Sequence, residues 1–515
     1  MHPSGVRLRG SNNEKMACVI EQDSCTTVAG AALEDGFCAS WLSEDVPGAR
    51  GLHVTDSGDV LAVARGRSPA AVVSLVDSNN DGKAEKVSVI AVQSTLTHGL
   101  AVHGNYVYAS SDTTVFRWPY QSGQKTQSSD ASKEIVIKNM NANGSGGAPR
   151  GHTTRSLVFD KKGRLFVSVG SAGNVDKDSH RSRIRRFDLT TIPSGGLDFR
   201  ADGTVFADGL RNEVGLAFDS HEMLWGVENS ADNLARQDLG GDIHNENPAE
   251  ELNRFTTSGQ NFGYPFCWTE YKLPKSVSPT GRGTIWAWPS TMNDGTHDDA
   301  WCRANTVAPA MAMQAHSAPL GITFFNASKS TPATCSGQSF PSWMDGDAFI
   351  AFHGSWNRDI PTGYKVVRVP MDKGGNPSVT EPLDFFCHGG SSAKWPSGMR
   401  PVDVKFDACN RLLISSDGTH SRGSGIVLIS YAGKRKRPEI NGTGCAACGA
   451  GPGPIPWEWI IPLAVVVCVL SGVALYAWKT KKWCFHRRAE VRQSCNESPD
   501  KAPDADEITD SANTA

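Results

Sequence analysis

Along residues 49–417, apolar residues recur as pairs of short runs. Each pair follows a polar cluster and is divided by a turn rich in Gly, Asp and Asn. Six copies are legible: ARGLHVTDSGDVLAVA (49–64), THGLAVHGNYVYASS (97–111), TRSLVFDKKGRLFVSVG (154–170), RNEVGLAFDSHEMLWGVE (211–228), APLGITFF with GDAFIAFHG (318–354), and MRPVDVKFDACNRLLISSD (399–417). Recurring two-strand units of this kind predict an all-β, six-bladed β-propeller. Glycine is abundant, with 52 residues, as hairpin turns needing positive φ require. The polar clusters stand where each inner strand begins, so their side chains should converge on one end of the central channel.

The pattern divides the chain. Residues 1–48 are polar, carry three Cys, and contain no apolar run of the signal-peptide kind. The blades occupy about 49–432, and a basic, then Gly/Pro-rich linker spans 433–456. Residues 457–478 read WEWIIPLAVVVCVLSGVALYAW, with 20 uncharged residues from Trp459 to Trp478 and aromatic residues at both ends. That is the length and edge chemistry of a single transmembrane helix. Lys479, Lys481, Lys482, Arg487, Arg488 and Arg492 follow it, against Lys434, Arg435, Lys436 and Arg437 farther off on the other side. The positive-inside rule thus predicts a cytosolic tail at 479–515 and a propeller on the extracellular or lumenal side. Export without a visible signal peptide implies a start upstream of Met1.

Bulk composition narrows the class. The chain of 515 residues is 39% hydrophobic and 20% charged, ordinary for a folded protein. Its net charge of −3 provides no basic field, which argues against nucleic acid as a partner. Ten cysteines precede residue 449, a density that suits an oxidising compartment. The sequons at Asn143, Asn326 and Asn441 agree with a glycosylated exterior. Proximity in sequence suggests the pairs Cys267–Cys302 and Cys387–Cys409.

Several segments could carry chemistry. His152, in Gly-His-Thr-Thr-Arg, can act as a base near neutrality, or can simply satisfy turn carbonyls. Arg211 beside Asn212 can hold a planar, oxygen-rich ligand, or can pair with Glu213 or a neighbouring blade. The Glu228-Asn229-Ser230-Ala231-Asp232 loop offers oxygens suited to Ca²⁺. Asp77-Ser-Asn79-Asn-Asp81-Gly82 resembles the first half of a Ca²⁺ loop, but position 12 is Ser88 and no flanking helices are expected, so it reads as a hairpin turn with or without a structural ion. Trp356, beside Asn357 and Arg358, suits packing or stacking on a ring-shaped ligand. His98 and Arg400 stand at the starts of the second and sixth copies.

GHTTRSLVF, LRNEVGLAFD, LWGVENSAD, NPAEELN with GYPFCW, FHGSWNR and SGMRPVDV occur in this order. Together they resemble the soluble quinoprotein glucose/sorbosone dehydrogenase family, in its membrane-anchored or secreted sorbosone- and pyranose-dehydrogenase-like branch. The resemblance covers about 49–432. It implies a six-bladed propeller that binds pyrroloquinoline quinone (PQQ) and Ca²⁺ at the top of the channel. It also implies oxidation of a sugar or aldehyde, with electrons passed to a separate acceptor. By position, His152 becomes the general base, and Arg211 and Asn212 the pair that holds the quinone carbonyls. Asn229, Ser230 and Ala231 fall where Ca²⁺ ligands lie, two of them backbone carbonyls. His98, Asn229, Arg358 and Arg400 join the cofactor contacts. Asn357 stands where bacterial glucose dehydrogenases carry a cofactor-binding Lys, a departure from the family pattern.

Two other classes compete. A cell-surface recognition propeller, like the domain of hedgehog-interacting proteins, would use the same mouth without chemistry. A Ca²⁺-dependent lactonase-type hydrolase expects acidic ligands at several strand ends, whereas these strand starts carry His, Arg and Asn.

Overall fold

The computed structural model describes residues 25–433, apart from 141–150, 179, 336–337 and 420–421. Six antiparallel sheets of four or five strands follow one another in chain order. Each is built around one of the six sequence copies. The innermost strands are Ala49–Val54, Leu96–His103, Leu157–Phe159, Glu213–Phe218, Pro319–Phe324 and Pro401–Phe406. Each lies beside the next, and the sixth lies beside the first, which closes a six-bladed ring. The second strand of each copy pairs antiparallel with the first, as in Leu52 opposite Ala62.

The propeller extends further toward the N-terminus than 49. Phe37–Ser43 is the outermost strand of the sixth blade, pairing with Gly425–Tyr431 from Phe37 opposite Tyr431 to Ser43 opposite Ile426. Ala31–Leu33 pairs with Leu383–His388 on the fifth blade. Phe37–Ser43 and Gly425–Tyr431 thus share one sheet, so the ring is closed by a backbone ladder. Blades two and three each receive a short parallel strand from later in the chain, Leu197–Asp198 and Gln260–Asn261. Both blunt an edge that would otherwise present unpaired amides.

Between neighbouring blades lie apolar clusters, one at each seam. The seam between blades five and six is the most aromatic, with Phe37, Phe325, Phe340, Phe349, Phe385 and Phe386 buried together. Leu42, Leu52, Ile426 and Leu428 fill the seam between blades six and one. Where inner strands crowd the channel, side chains must vanish. A Cβ on Gly51 would collide with the His98 carbonyl, and one on Gly99 with the Arg155 carbonyl. These glycines sit at equivalent places in the first two copies.

Among the described residues, disulfides join Cys25 to Cys38, Cys267 to Cys302 and Cys335 to Cys409, and Cys387 is disulfide-bonded as well. The Cys267–Cys302 pair agrees with the sequence reading. Cys387–Cys409 does not form. Cys409 pairs with Cys335 across 74 residues because both lie at the seam between blades five and six, where Phe340 N–H also bonds the Asn410 carbonyl. Sequence proximity carries no information about such blade-to-blade contacts. The linker, the apolar segment 457–478 and the tail lie outside the described residues. No helix among the described residues is long and apolar enough to cross a membrane.

Candidate functional site at the channel mouth

His152 precedes the inner strand of blade three and is partly buried. Its Nδ1 lies 3.1 Å from the Ser171 carbonyl and 3.0 Å from Ser171 Oγ. A carbonyl only accepts, so Nδ1 carries the proton and Nε2 keeps a lone pair. Among the described residues Nε2 has no hydrogen-bond partner. Burial, then repulsion from Arg211, lowers the His152 pKa to about 3, which keeps the ring neutral. Both alternatives read from the sequence therefore hold at once: one ring nitrogen satisfies a turn carbonyl, and the other is free to act as a base. Asn212 and His152 approach closely because residue 170 is glycine; a Cβ there would meet both side chains. Among the described residues the Asn212 side-chain amide has no hydrogen-bond partner.

Arg211 and Asn212 are buried at the start of blade four. The Arg211 guanidinium does not pair with Glu213. Its Nη2 bonds Asp232 Oδ2 at 2.8 Å and Asn174 Oδ1 at 3.1 Å. Its Nη1 bonds the carbonyls of Ser230 at 2.6 Å and Asn229 at 3.3 Å, and Nε reaches the Asn174 carbonyl at 3.3 Å. Every N–H of the side chain is engaged, so Arg211 contributes a fixed positive charge rather than spare donors. The same loop is fastened from below. Glu228 Oε1 accepts the Arg211 backbone N–H at 2.6 Å, and Glu250 accepts those of Ser230 and Ala318. Burial pushes the Glu250 carboxyl up to about 8.

A second, cationic wall comes from blades five, six and one. Asp417 accepts from Arg50 at 2.8 Å and from His353 Nε2 at 2.9 Å. Burial opposes its ionisation, but His353 and Arg50 hold the carboxyl well below the usual range. Arg400 bonds only carbonyls, that of His353 at 3.3 Å and that of Gly354 at 3.4 Å. Asp417 lies within electrostatic reach of the Arg400 charge, and so does Arg50; Arg65 in turn lies near Arg50 and Asp417. His98, buried, lines a central cavity of about 190 Å³ together with His53, Asp403 and Lys405. Burial, then Arg50 and Lys405, keep His98 neutral. On the blade-five loop, Asn357 is buried and its Nδ2 lacks a partner. Arg358 instead bonds Glu246 at 2.9 Å, tying two rim loops together. Trp356 is 74% exposed, so it does not serve packing.

The sequence reading followed the starts of the inner strands and the strand exit at the 228–232 loop of blade four, and missed the exits of blades three and six. Ser171 and Asn174 leave blade three where Asn229 and Asp232 leave blade four and Asp417 leaves blade six. The signal was present: SVGSAGN, GVENSAD and SSDGT each follow an apolar run. A polar residue after a strand looks like any loop until the ring brings three such loops together.

Fold and mouth together define a six-bladed propeller whose top face gathers a neutral histidine, buried arginines and a cluster of loop carbonyls. The chain belongs to the TrAA12-like family, which matches residues 31–430. It is 33% identical over 353 residues to a pyrroloquinoline quinone-dependent pyranose dehydrogenase of Coprinopsis cinerea, covering 65% of this chain and 44% of that protein. The chain thus spans less than half the length of that relative. It is 29% identical over 424 residues to a pyrroloquinoline quinone-dependent sugar dehydrogenase of Hypocrea jecorina, covering 76% and 88%. Among solved structures it is similar to the Carbohydrate-Active Enzymes Family AA12 protein of Trichoderma reesei, with a TM-score of 0.67 at 27% identity, covering 82% of this chain and 100% of the other. It is also similar to the holo form of the pyranose dehydrogenase PQQ domain of C. cinerea, with a TM-score of 0.64 at 28% identity, covering 78% and 97%.

The donor set fits such a cofactor. The carbonyl oxygens of Asn229 and Ser230, with the Asp232 carboxylate and the Asn174 amide oxygen, already converge on one cation, the Arg211 guanidinium. Oxygens of this kind suit Ca²⁺. The unpartnered Asn357 Nδ2 and Arg400, held through the His353 and Gly354 carbonyls, suit the carboxylates of an anionic, planar quinone.

Proposed function

We propose that this chain is a PQQ- and Ca²⁺-dependent dehydrogenase that oxidises a sugar or aldehyde of the aldose or sorbosone type. We further propose that the propeller faces the exterior and is anchored by residues 457–478. The observation that carries the catalytic reading is His152: a neutral imidazole whose Nδ1–H is fixed on Ser171, leaving the Nε2 lone pair without a partner among the described residues, beside Arg211. A pure recognition module has no use for an oriented base.

When bound, PQQ with its Ca²⁺ supplies a two-electron acceptor for the hydride leaving the substrate carbon. His152 Nε2 accepts the proton of the substrate's anomeric hydroxyl. Arg211, immobilised by Asp232 and Asn174, sets a positive charge where negative charge develops, and so avoids reorganisation during the reaction. Asn212 offers a free amide to a ligand carbonyl. The carbonyls of Asn229 and Ser230, with Ala231 beside them, would hold the metal. Arg400 and Asn357, with Arg50 behind them, would receive the cofactor's carboxylates. His98 bounds the ligand from the channel side.

The test is equilibrium binding of PQQ to the PQQ-free full chain with and without Ca²⁺, followed by dye reduction with a panel of pyranoses and aldehydes. Ca²⁺-dependent binding and turnover of at least one substrate are expected. Tight binding of a sugar without turnover in loaded protein would favour the recognition module. No PQQ binding would contradict the proposal outright.

A further inference from the structure

Far from the mouth, the hairpin turn that joins Ala71–Val76 to Lys86–Val92 in blade one holds three acidic side chains, Asp77, Asp81 and Glu85. One oxygen from each lies within 4.8 Å of the others. An acidic cluster on an exposed turn is ordinary, but this one has a second feature. The Asp77 side chain is only 10% exposed, and its Oδ1 is buried with no hydrogen-bond partner. Its other oxygen accepts from Gly82 N–H and from Arg411, both at 3.0 Å. Arg411 is shared with Asp407, and Asp81 and Glu85 have no cationic partner among the described residues. Three carboxylates therefore crowd together with a single, divided positive charge.

The local backbone is already shaped around a centre. Asn79 Oδ1 accepts the Asp81 N–H at 2.9 Å, Asp81 Oδ1 accepts the Lys83 N–H at 2.8 Å, and Gly82 adopts φ +89°. Asp77, Asn79 and Asp81 hold positions 1, 3 and 5, with Gly at 6. Glu85 falls at position 9, where it replaces the ligand that Ser88 at position 12 does not provide. The Lys83 carbonyl, at position 7, accepts no backbone hydrogen bond among the described residues.

We propose that residues 77–85 form a structural Ca²⁺ site that clamps the closure of the ring. Oxygen donors in a turn with adaptable spacing favour Ca²⁺ over Mg²⁺, and the missing bidentate Glu sets the affinity at about 10⁻⁴–10⁻³ M, the range of extracellular modules. The turn touches both closing strands. Ala84 N–H bonds the Leu42 carbonyl at 2.8 Å, and Gly82 packs on Leu428. Arg411, from the sixth blade, reaches the Asn80 carbonyl at 3.2 Å as well as Asp77. An ion here stiffens the turn against which Phe37–Ser43 and Gly425–Tyr431 are laid together.

The test compares the full chain with the double variant Asp81→Asn/Glu85→Gln, both stripped of PQQ and divalent ions. Asp77 is left intact because Arg411 depends on it. Bound Ca²⁺ is counted by equilibrium dialysis with ⁴⁵Ca²⁺, and Tm is followed as Ca²⁺ or Mg²⁺ is added. The variant should bind one ion fewer per chain and lose the Ca²⁺-induced rise in Tm, and Mg²⁺ should raise neither protein's Tm at equal concentration. A cofactor-site ion at Asn229–Ala231 is untouched by these substitutions, so the difference belongs to the turn. Equal ion counts with equal Tm shifts would overturn the proposal, as would an equal response to Mg²⁺.

Discussion

Two residues of the mouth illustrate how burial and charge decide roles. Arg211 and Asp232 form a buried pair at 2.8 Å, with both side chains largely withdrawn from solvent. Asp232→Asn leaves the guanidinium without its counter-charge, and removal of one partner from such a pair typically costs about 3–5 kcal/mol. Urea unfolding should register that loss, together with weaker PQQ binding. A second residue tests burial away from the mouth. Desolvation, then Lys405, lowers the His53 pKa to about 4. Between about pH 6.5 and pH 4 the unfolded chain binds a proton that the folded chain refuses, so stability falls as pH falls through that window. His53→Gln should flatten part of this slope in a series of Tm measurements, while His98 and His152 keep the remainder. At this scale the sequence made His152, Arg211 and Asn212 legible because they open repeats. Asn174 and Asp417 were not legible, since a strand-exit residue acquires meaning only from what faces it. Arg358 was read as a cofactor contact, yet its charge is directed to Glu246.

The six inner hairpins were readable because a turn between two apolar runs is a local signal, and the same signal recurs. Outer strands lack it. Phe37–Ser43 has no hairpin partner in sequence, and its partner Gly425–Tyr431 lies at the other end of the propeller. Its removal would expose Ile426, Leu428 and the aromatic seam around Phe385. A chain lacking residues 1–43 should therefore fail to yield the cooperative thermal transition of the full chain. Cys335–Cys409 closes a 74-residue loop at the adjacent seam. Replacement of both cysteines by Ala should lower stability by about 2–4 kcal/mol in denaturant titration without altering the mouth. In contrast, Gly99→Ala should be costly without removing any contact, because its Cβ would collide with the Arg155 carbonyl, Ser110 Oγ and Leu157 Cγ.

Over the whole molecule, the propeller divides its labour between seams and mouth. Apolar clusters between the blades provide cohesion, so strand starts and exits are released to carry polar groups. Convergence of those groups turns unremarkable loop residues into a neutral imidazole, a fixed cation and a cationic wall. Asn357 departs from the family's cation, but Arg400 and Arg50 supply positive charge on the same side, which makes an anionic cofactor compatible with the departure. The central claim is that His152 acts as a base on substrate while the cofactor is held by other residues. It is tested most directly by His152→Asn, loaded with PQQ and Ca²⁺ and assayed for dye reduction with the best substrate of the panel. The account predicts PQQ binding within about twofold of the unaltered chain, with kcat lower by about 10²–10⁴, the usual contribution of a positioned base. Unchanged turnover at full PQQ occupancy would contradict it.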